Sequence, residues 1–167
     1  MTEHNHLQLR QVLQLFSELS DAEHLSGQTI ATHLDVSRSY VWKLIKQLLE
    51  FGVQVESRPG KGYYLKKPVS LLNPDDMIKS LTAKGFGADI SVELTTESTN
   101  KLLKQEFAHK KVILAEHQSA GRGRRGRAWV SPMASNIYLS LGWRSRTPIQ
   151  QLGGLSLVIG LSFIRAL

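Results

Sequence analysis

Cysteine is absent from the 167 residues, which excludes a disulfide framework, a thiolate zinc site and thiol redox chemistry. A reducing, cytoplasmic setting is the expectation. Acidic residues run out early, since no Asp or Glu follows Glu116. That stretch offers no carboxylate ligand of the kind Mg²⁺ prefers beside phosphates, and no metal ligand is assigned. Long apolar runs are also missing. The longest, Leu152–Leu167, is broken by Gly153, Gly154, Gly160, two serines and Arg165, and falls short of the ~20 residues of a bilayer span. It is expected to be a buried helix, and no membrane partner is expected. The opening Met1-Thr2-Glu3-His4-Asn5-His6 lacks the basic, apolar and small-residue regions of a secretory signal.

What is present suits a folded protein: 41% of residues are hydrophobic and 21% charged, away from the regime of disorder. The length fits a small domain of about 60 residues followed by about 100 more. Charge divides the same way. Residues 1–35 sum to −4, residues 36–67 to +5 and residues 68–167 to +6, with four arginines inside 122–127. Two separate basic surfaces follow.

In the first, Leu9, Val12, Leu13, Phe16 and Leu19 recur at helical spacing over 7–19. Ser26 can cap a second helix with core positions Ile30, Ala31 and Leu34, and Ser37 a third. The third is the most periodic segment: Val41, Leu44, Ile45, Leu48 and Leu49 form its stripe, and Gly52 supplies the left-handed residue that ends it. Its opposite face carries Arg38, Ser39, Trp42, Lys43, Lys46 and Gln47, groups able to contact phosphates and base edges. Strand-like Val53–Glu56 and Tyr63–Leu65 flank a turn holding Arg58 and Lys61. The pattern is a winged helix-turn-helix, with Arg58 and Lys61 placed to touch flanking phosphate. A trihelical module used for protein contacts, its bases a solvated face, fits the periodicity too. The −4 to +5 reversal within one small domain favours DNA.

The pattern breaks at Lys66-Lys67-Pro68, which places a boundary near 67 and a linker with a connecting helix over 67–82. Strands are expected at Ile90–Leu94, Val112–Ala115 and Asn136–Leu141, with a helix from Ser98 to about Ala108. Between the last two strands runs Gly121-Arg122-Gly123-Arg124-Arg125-Gly126-Arg127. Its glycines match G-x-G-x-x-G, but no helical pattern follows and no acidic residue occurs about 20 positions on, so a dinucleotide fold is rejected. A repetitive RNA-binding tail is rejected because the run is single and compact. Four mutually repelling arginines among glycines favour a mobile loop that an anion orders, through charge-assisted bonds of roughly 1.5 to 3 kcal/mol each.

Taken together, Ser98-Thr99-Asn100, the 121–127 run, Trp129, Ser131-Pro132 and Asn136-Ile137-Tyr138-Leu139-Ser140 resemble biotin-protein ligases. The preceding winged helix, with Pro59-Gly60-Lys61-Gly62-Tyr63 in its wing, resembles the bifunctional subgroup that also represses the biotin operon. The resemblance implies an α+β chain: a winged helix-turn-helix over 1–66, then the first part of a mixed-sheet α/β catalytic domain over 83–167. It implies that biotin and MgATP form biotinyl-5′-AMP, and that a lysine of the biotin carboxyl carrier protein then takes the biotinyl group. Ser98, Thr99, Asn100, Gln118, Arg122, Gly123 and Arg124 match biotin-contacting positions. Arg125, Arg127 and Trp129 match the loop that covers the adenylate. The adenylate would also be the corepressor of a homodimer that binds operator DNA. Residue 167 falls inside an apolar helix, and the family's catalytic lysine and acid are expected beyond it. A regulator with a degenerate ligand-sensing domain is the main alternative, and a lipoate-type acyl ligase a further one.

Overall fold

The computed structural model of the chain describes residues 3–19, 24–123, 125, 127 and 129–166. Three helices come first: α1 (Glu3–Ser17), α2 (Gly27–Leu34) and α3 (Arg38–Glu50). Both expected caps are made. The Ser26 hydroxyl accepts the Thr29 N–H at 2.9 Å, and the Ser37 hydroxyl accepts the Tyr40 N–H at 3.2 Å. These bonds satisfy amide donors that the first helical turn leaves free. Leu9, Val12, Leu13 and Phe16 of α1, Ile30 and Ala31 of α2, and Val41, Leu44, Ile45 and Leu48 of α3 are all buried in one core. Leu49 is not, being 48% exposed. At 100° per residue it lies about 80° round from Val41, at the edge of a stripe that Leu48 already completes.

Strands β1 (Val55–Arg58) and β2 (Gly62–Leu65) form the antiparallel wing hairpin. β1 starts two residues later than its alternation suggested, because Val53 is tied to the helix end by its N–H bond to Leu48 O. The wing is also held at its base. Leu25 and Tyr63 exchange both backbone bonds at 2.8 Å, which makes the segment before α2 a one-residue third strand. Gly62 permits this approach: its φ is +109°, and a Cβ there would stand 2.2 Å from Leu25 O.

Helix α4 (Pro74–Ala83) follows, capped by the Asn73 side chain, and then the second unit: β3 (Asp89–Glu93), α5 (Thr99–Gln105), β4 (Lys111–Ala115), β5 (Tyr138–Leu141) and α6 (Leu155–Ala166). The sheet order is β3-β4-β5, parallel between the first two and antiparallel between the last two. Helix α5 is the crossover that parallel pairing of β3 and β4 requires. The chain is thus α+β with a mixed sheet.

One expectation fails. Helix α6 is not buried: Leu157 is 71% and Ile164 73% exposed, and none of its residues is buried. Apolar composition all round a helix reports a demand for burial, not which element meets it. No described element covers α6.

The two units share a core. Leu94 and Met133 join the helical cluster, the Met133 N–H donates to Phe51 O at 2.8 Å, and the Phe51 and His117 rings lie 4.5 Å apart. Gly52, at φ +87°, sits so near Pro132 that a Cβ would come within 2.9 Å of the proline Cβ. Gly62→Ala is expected to destabilise the fold by about 2 kcal/mol or more, through positive-φ strain plus the clash with Leu25 O. Urea unfolding measures it, and an unchanged midpoint would show that the wing is not pinned to Leu25.

Candidate functional site

Parallel pairing of β3 with β4 brings the carboxyl ends of both strands together, the usual place for a ligand in such sheets. The pairing continues past the strands: Thr96 N–H donates to His117 O at 3.1 Å, and Ser119 N–H to Thr96 O at 2.9 Å. This sets Gln118 against the start of α5. The Gln118 Oε1 accepts the Thr99 N–H at 2.9 Å and the Thr99 hydroxyl at 3.3 Å. The Thr99 and Ser140 hydroxyls are 2.9 Å apart, and the Gln118 Nε2 donates to the Ser131 hydroxyl at 3.5 Å. Thr99 and Ser131 are buried. Since Oε1 takes two donors, the amide orientation of Gln118 is fixed by its partners.

Above this network opens a cavity of about 730 Å³. Its lining includes Ser98, Thr99, Asn100, Gln118, Arg122 and Trp129 from the expected set. Ile137 and Leu139 add apolar surface, while Lys101, Lys104 and Glu97 stand on its α5 side. Gly123 does not line it, nor do Arg125 and Arg127, which are exposed beyond it. Gly123 instead bonds to the Arg127 carbonyl at 3.0 Å, closing a short loop, and Arg125 has a positive φ of 59°. Arg124 lies outside the described residues. The Lys101 hydrogen bond, with a weaker pull from Arg122, holds the Glu97 carboxyl below its usual range.

A second groove of about 730 Å³ runs between α3 and the wing. Arg38, Ser39 and Trp42 form one wall and Arg58 and Lys61 the other. Ser26, Gly27 and Gln28 at the start of α2 close one end, a contribution that charge patterning missed but that a capped helix start signals. Lys43 and Lys46 are exposed outside it. Gln47 is half-buried and accepts the Asn5 side-chain N–H at 3.3 Å, so it faces α1 rather than the groove.

With this geometry in place, residues 91–167 match the biotin/lipoate A/B protein ligase family, and residues 8–64 match a helix-turn-helix domain family. The second unit is thus similar to a biotin/lipoate A/B protein ligase domain. Among curated proteins, the chain is 40% identical over 152 residues to the bifunctional ligase/repressor BirA of Escherichia coli K12, covering 89% of this chain and 46% of that protein. It is 30% identical over 162 residues to BirA of Bacillus subtilis 168, covering 95% and 50% respectively. A 54-residue stretch is 48% identical to the biotin-[acetyl-CoA-carboxylase] ligase of Mycobacterium tuberculosis H37Rv, covering 32% of this chain and 20% of that one. The chain spans about half the length of the first two.

Among the described residues no group of three His, Cys, Asp or Glu side chains is placed to hold a metal. Glu116, the last carboxylate, is 1% exposed and accepts the Leu72 N–H at 2.6 Å. Burial pushes its carboxyl pKa up, against that hydrogen bond and the Arg10 cation. Burial pushes the neighbouring His117 down. A base with a lowered folded pKa lends stability that is present above its unfolded value, about 6.5. That stability is lost as pH falls from there through the lowered value. Glu116 acts oppositely, losing stability as pH rises through its raised value. Comparing urea unfolding at pH 7.5 and 5.5, His117→Phe should lose less stability on acidification than the parent. Equal losses would remove His117 as the cause.

Proposed function

We propose that this chain supplies the DNA-reading module and the biotin-recognition pocket of an ATP-dependent biotin-protein ligase that also represses the biotin operon. The observation that carries the reading is the single cavity uniting Ser98, Thr99, Asn100, Gln118, Arg122 and Trp129. Biotin combines a ureido group that both donates and accepts hydrogen bonds, an apolar bicycle and a carboxylate. Hydroxyls and an oriented amide suit the first, Trp129, Ile137 and Leu139 the second, and Arg122 the third. The names of the relatives, ligase/repressor and biotin-[acetyl-CoA-carboxylase] ligase, favour biotin over lipoate.

In this reading the biotin carboxylate attacks the α-phosphorus of ATP, giving biotinyl-5′-AMP and pyrophosphate. The ε-amine of a lysine on the biotin carboxyl carrier protein then attacks the acyl carbon and AMP leaves. No protein nucleophile is needed, and the residues here act by positioning and charge. Gly123, Arg124, Arg125 and Arg127 form the loop that closes over the anionic adenylate, which Mg²⁺-bound ATP supplies. The adenylate serves as corepressor of a cytoplasmic, ligand-linked homodimer. Operator DNA lies along α3 and the wing, with Arg38, Ser39 and Trp42 toward bases and Arg58 and Lys61 on phosphate. Lys43 and Lys46 stand outside the groove and contribute through the wider basic field, while Gln47, turned toward Asn5, stands outside the contact.

Calorimetry with biotin tests the pocket: Gln118→Leu should weaken binding about tenfold or more, by removing the polar amide from the lining and leaving the Thr99 N–H unpaired. Unaltered affinity would place biotin elsewhere. Transfer of labelled biotin to a carrier domain tests catalysis, and binding without transfer would leave a ligand-sensing regulator. For DNA, the double change Arg58→Ala with Lys61→Ala should lower the slope of log affinity against log salt by about 2. An unchanged slope would detach the wing from phosphate.

A further inference from the structure

The DNA-facing groove contains one side chain that does not resemble the rest. Its walls are guanidinium, ammonium, hydroxyl and backbone groups, but at their centre stands Trp42, 57% exposed. The rotation of α3 fixes that exposure: Val41, Leu44, Ile45 and Leu48 are 0 to 4% exposed and anchor the opposite face. Lys46 Nζ lies 5.8 Å from the ring, at the outer limit of a cation–π contact. No described residue accepts the indole N–H. A large aromatic surface left in water beside phosphate-seeking cations calls for a partner that is part of the duplex.

Resting on the DNA-binding reading of this groove, we infer that Trp42 is a specificity residue that selects thymine in the major groove. The indole offers one donor beside an extended apolar rim. In the major groove guanine presents two acceptors, cytosine a donor, and adenine an acceptor beside a donor. Thymine alone presents an acceptor, O4, beside a C5-methyl group. The indole N–H meets O4 while the ring covers the methyl. Arg58 and Lys61 across the groove hold the phosphates that set the register, while Arg38, one helical turn earlier on the same face, reaches a neighbouring base.

Duplexes selected from a randomised library by the full chain define its preferred site. Each thymine in that site is then replaced by uracil, which removes only the C5-methyl group. At one thymine or more, uracil should weaken binding by the parent about fourfold, the effect of one buried methyl-sized group. Trp42→Gln should bind the thymine and uracil sites equally, while Trp42→Phe, retaining a ring, should keep the methyl effect. Because Trp42 is exposed, thermal unfolding of the variants should match the parent. A parent that binds its selected site but ignores uracil at every position overturns the thymine assignment and leaves DNA binding standing. A uracil penalty that persists in Trp42→Gln overturns it too, by placing the methyl contact on another residue. Failure to select any duplex overturns both readings.

Discussion

The docking of the α3 carboxyl end on the second unit is the contact from which the rest of the arrangement follows. Helix α3 ends at Glu50, Phe51 and Gly52 turn the chain, and the Phe51 carbonyl receives the Met133 N–H. A left-handed glycine against Pro132 is the only residue that lets backbone approach so closely there. His117, stacked on Phe51, immediately precedes Gln118, and Pro132 immediately follows Ser131. The two residues whose side chains meet at the base of the first cavity, Gln118 and Ser131, therefore belong to the two segments that grip the end of α3. Any displacement of one segment is felt by the other through dense packing rather than through a flexible tether.

Charge is distributed to suit this arrangement. Among the described residues Glu116 is the one buried acidic or basic side chain, and its carboxyl group is engaged by a backbone N–H. Arg38, Arg58 and Lys61 line one outward groove and Lys101, Lys104 and Arg122 the other, where water solvates them. Burying cations at the seam would have cost several kcal/mol each. Placing them at the rims leaves them available for phosphates and carboxylates.

Local chemistry was legible wherever the deciding interaction is local. Ser26 and Ser37 announce helix starts, Gly52 a stop, and the stripe from Val41 to Leu48 the inner face of α3. A short buried-type run located β4 and alternation located β5, each within two residues, and Ser98, Thr99, Asn100, Gln118, Arg122 and Trp129 of the motif set line one cavity. What stayed hidden depends on separation along the chain. Nothing around Phe51 signals His117 or Met133, and nothing in Gln47 signals Asn5, 42 positions away. Leu49 and α6 show the reverse limit, since hydrophobicity states a preference for burial without naming a cover.

The paired bonds between Leu25 and Tyr63 carry a thermodynamic consequence for recognition. A free hairpin tip must surrender backbone freedom when it meets its target, at roughly 1 to 2 kcal/mol for each residue ordered. Here that surrender falls on folding rather than on association, because the hairpin is already stitched to the segment that starts α2. The encounter is then rigid body against rigid body, and discrimination between targets is expressed as a difference in shape fit instead of being blurred by an adaptable loop.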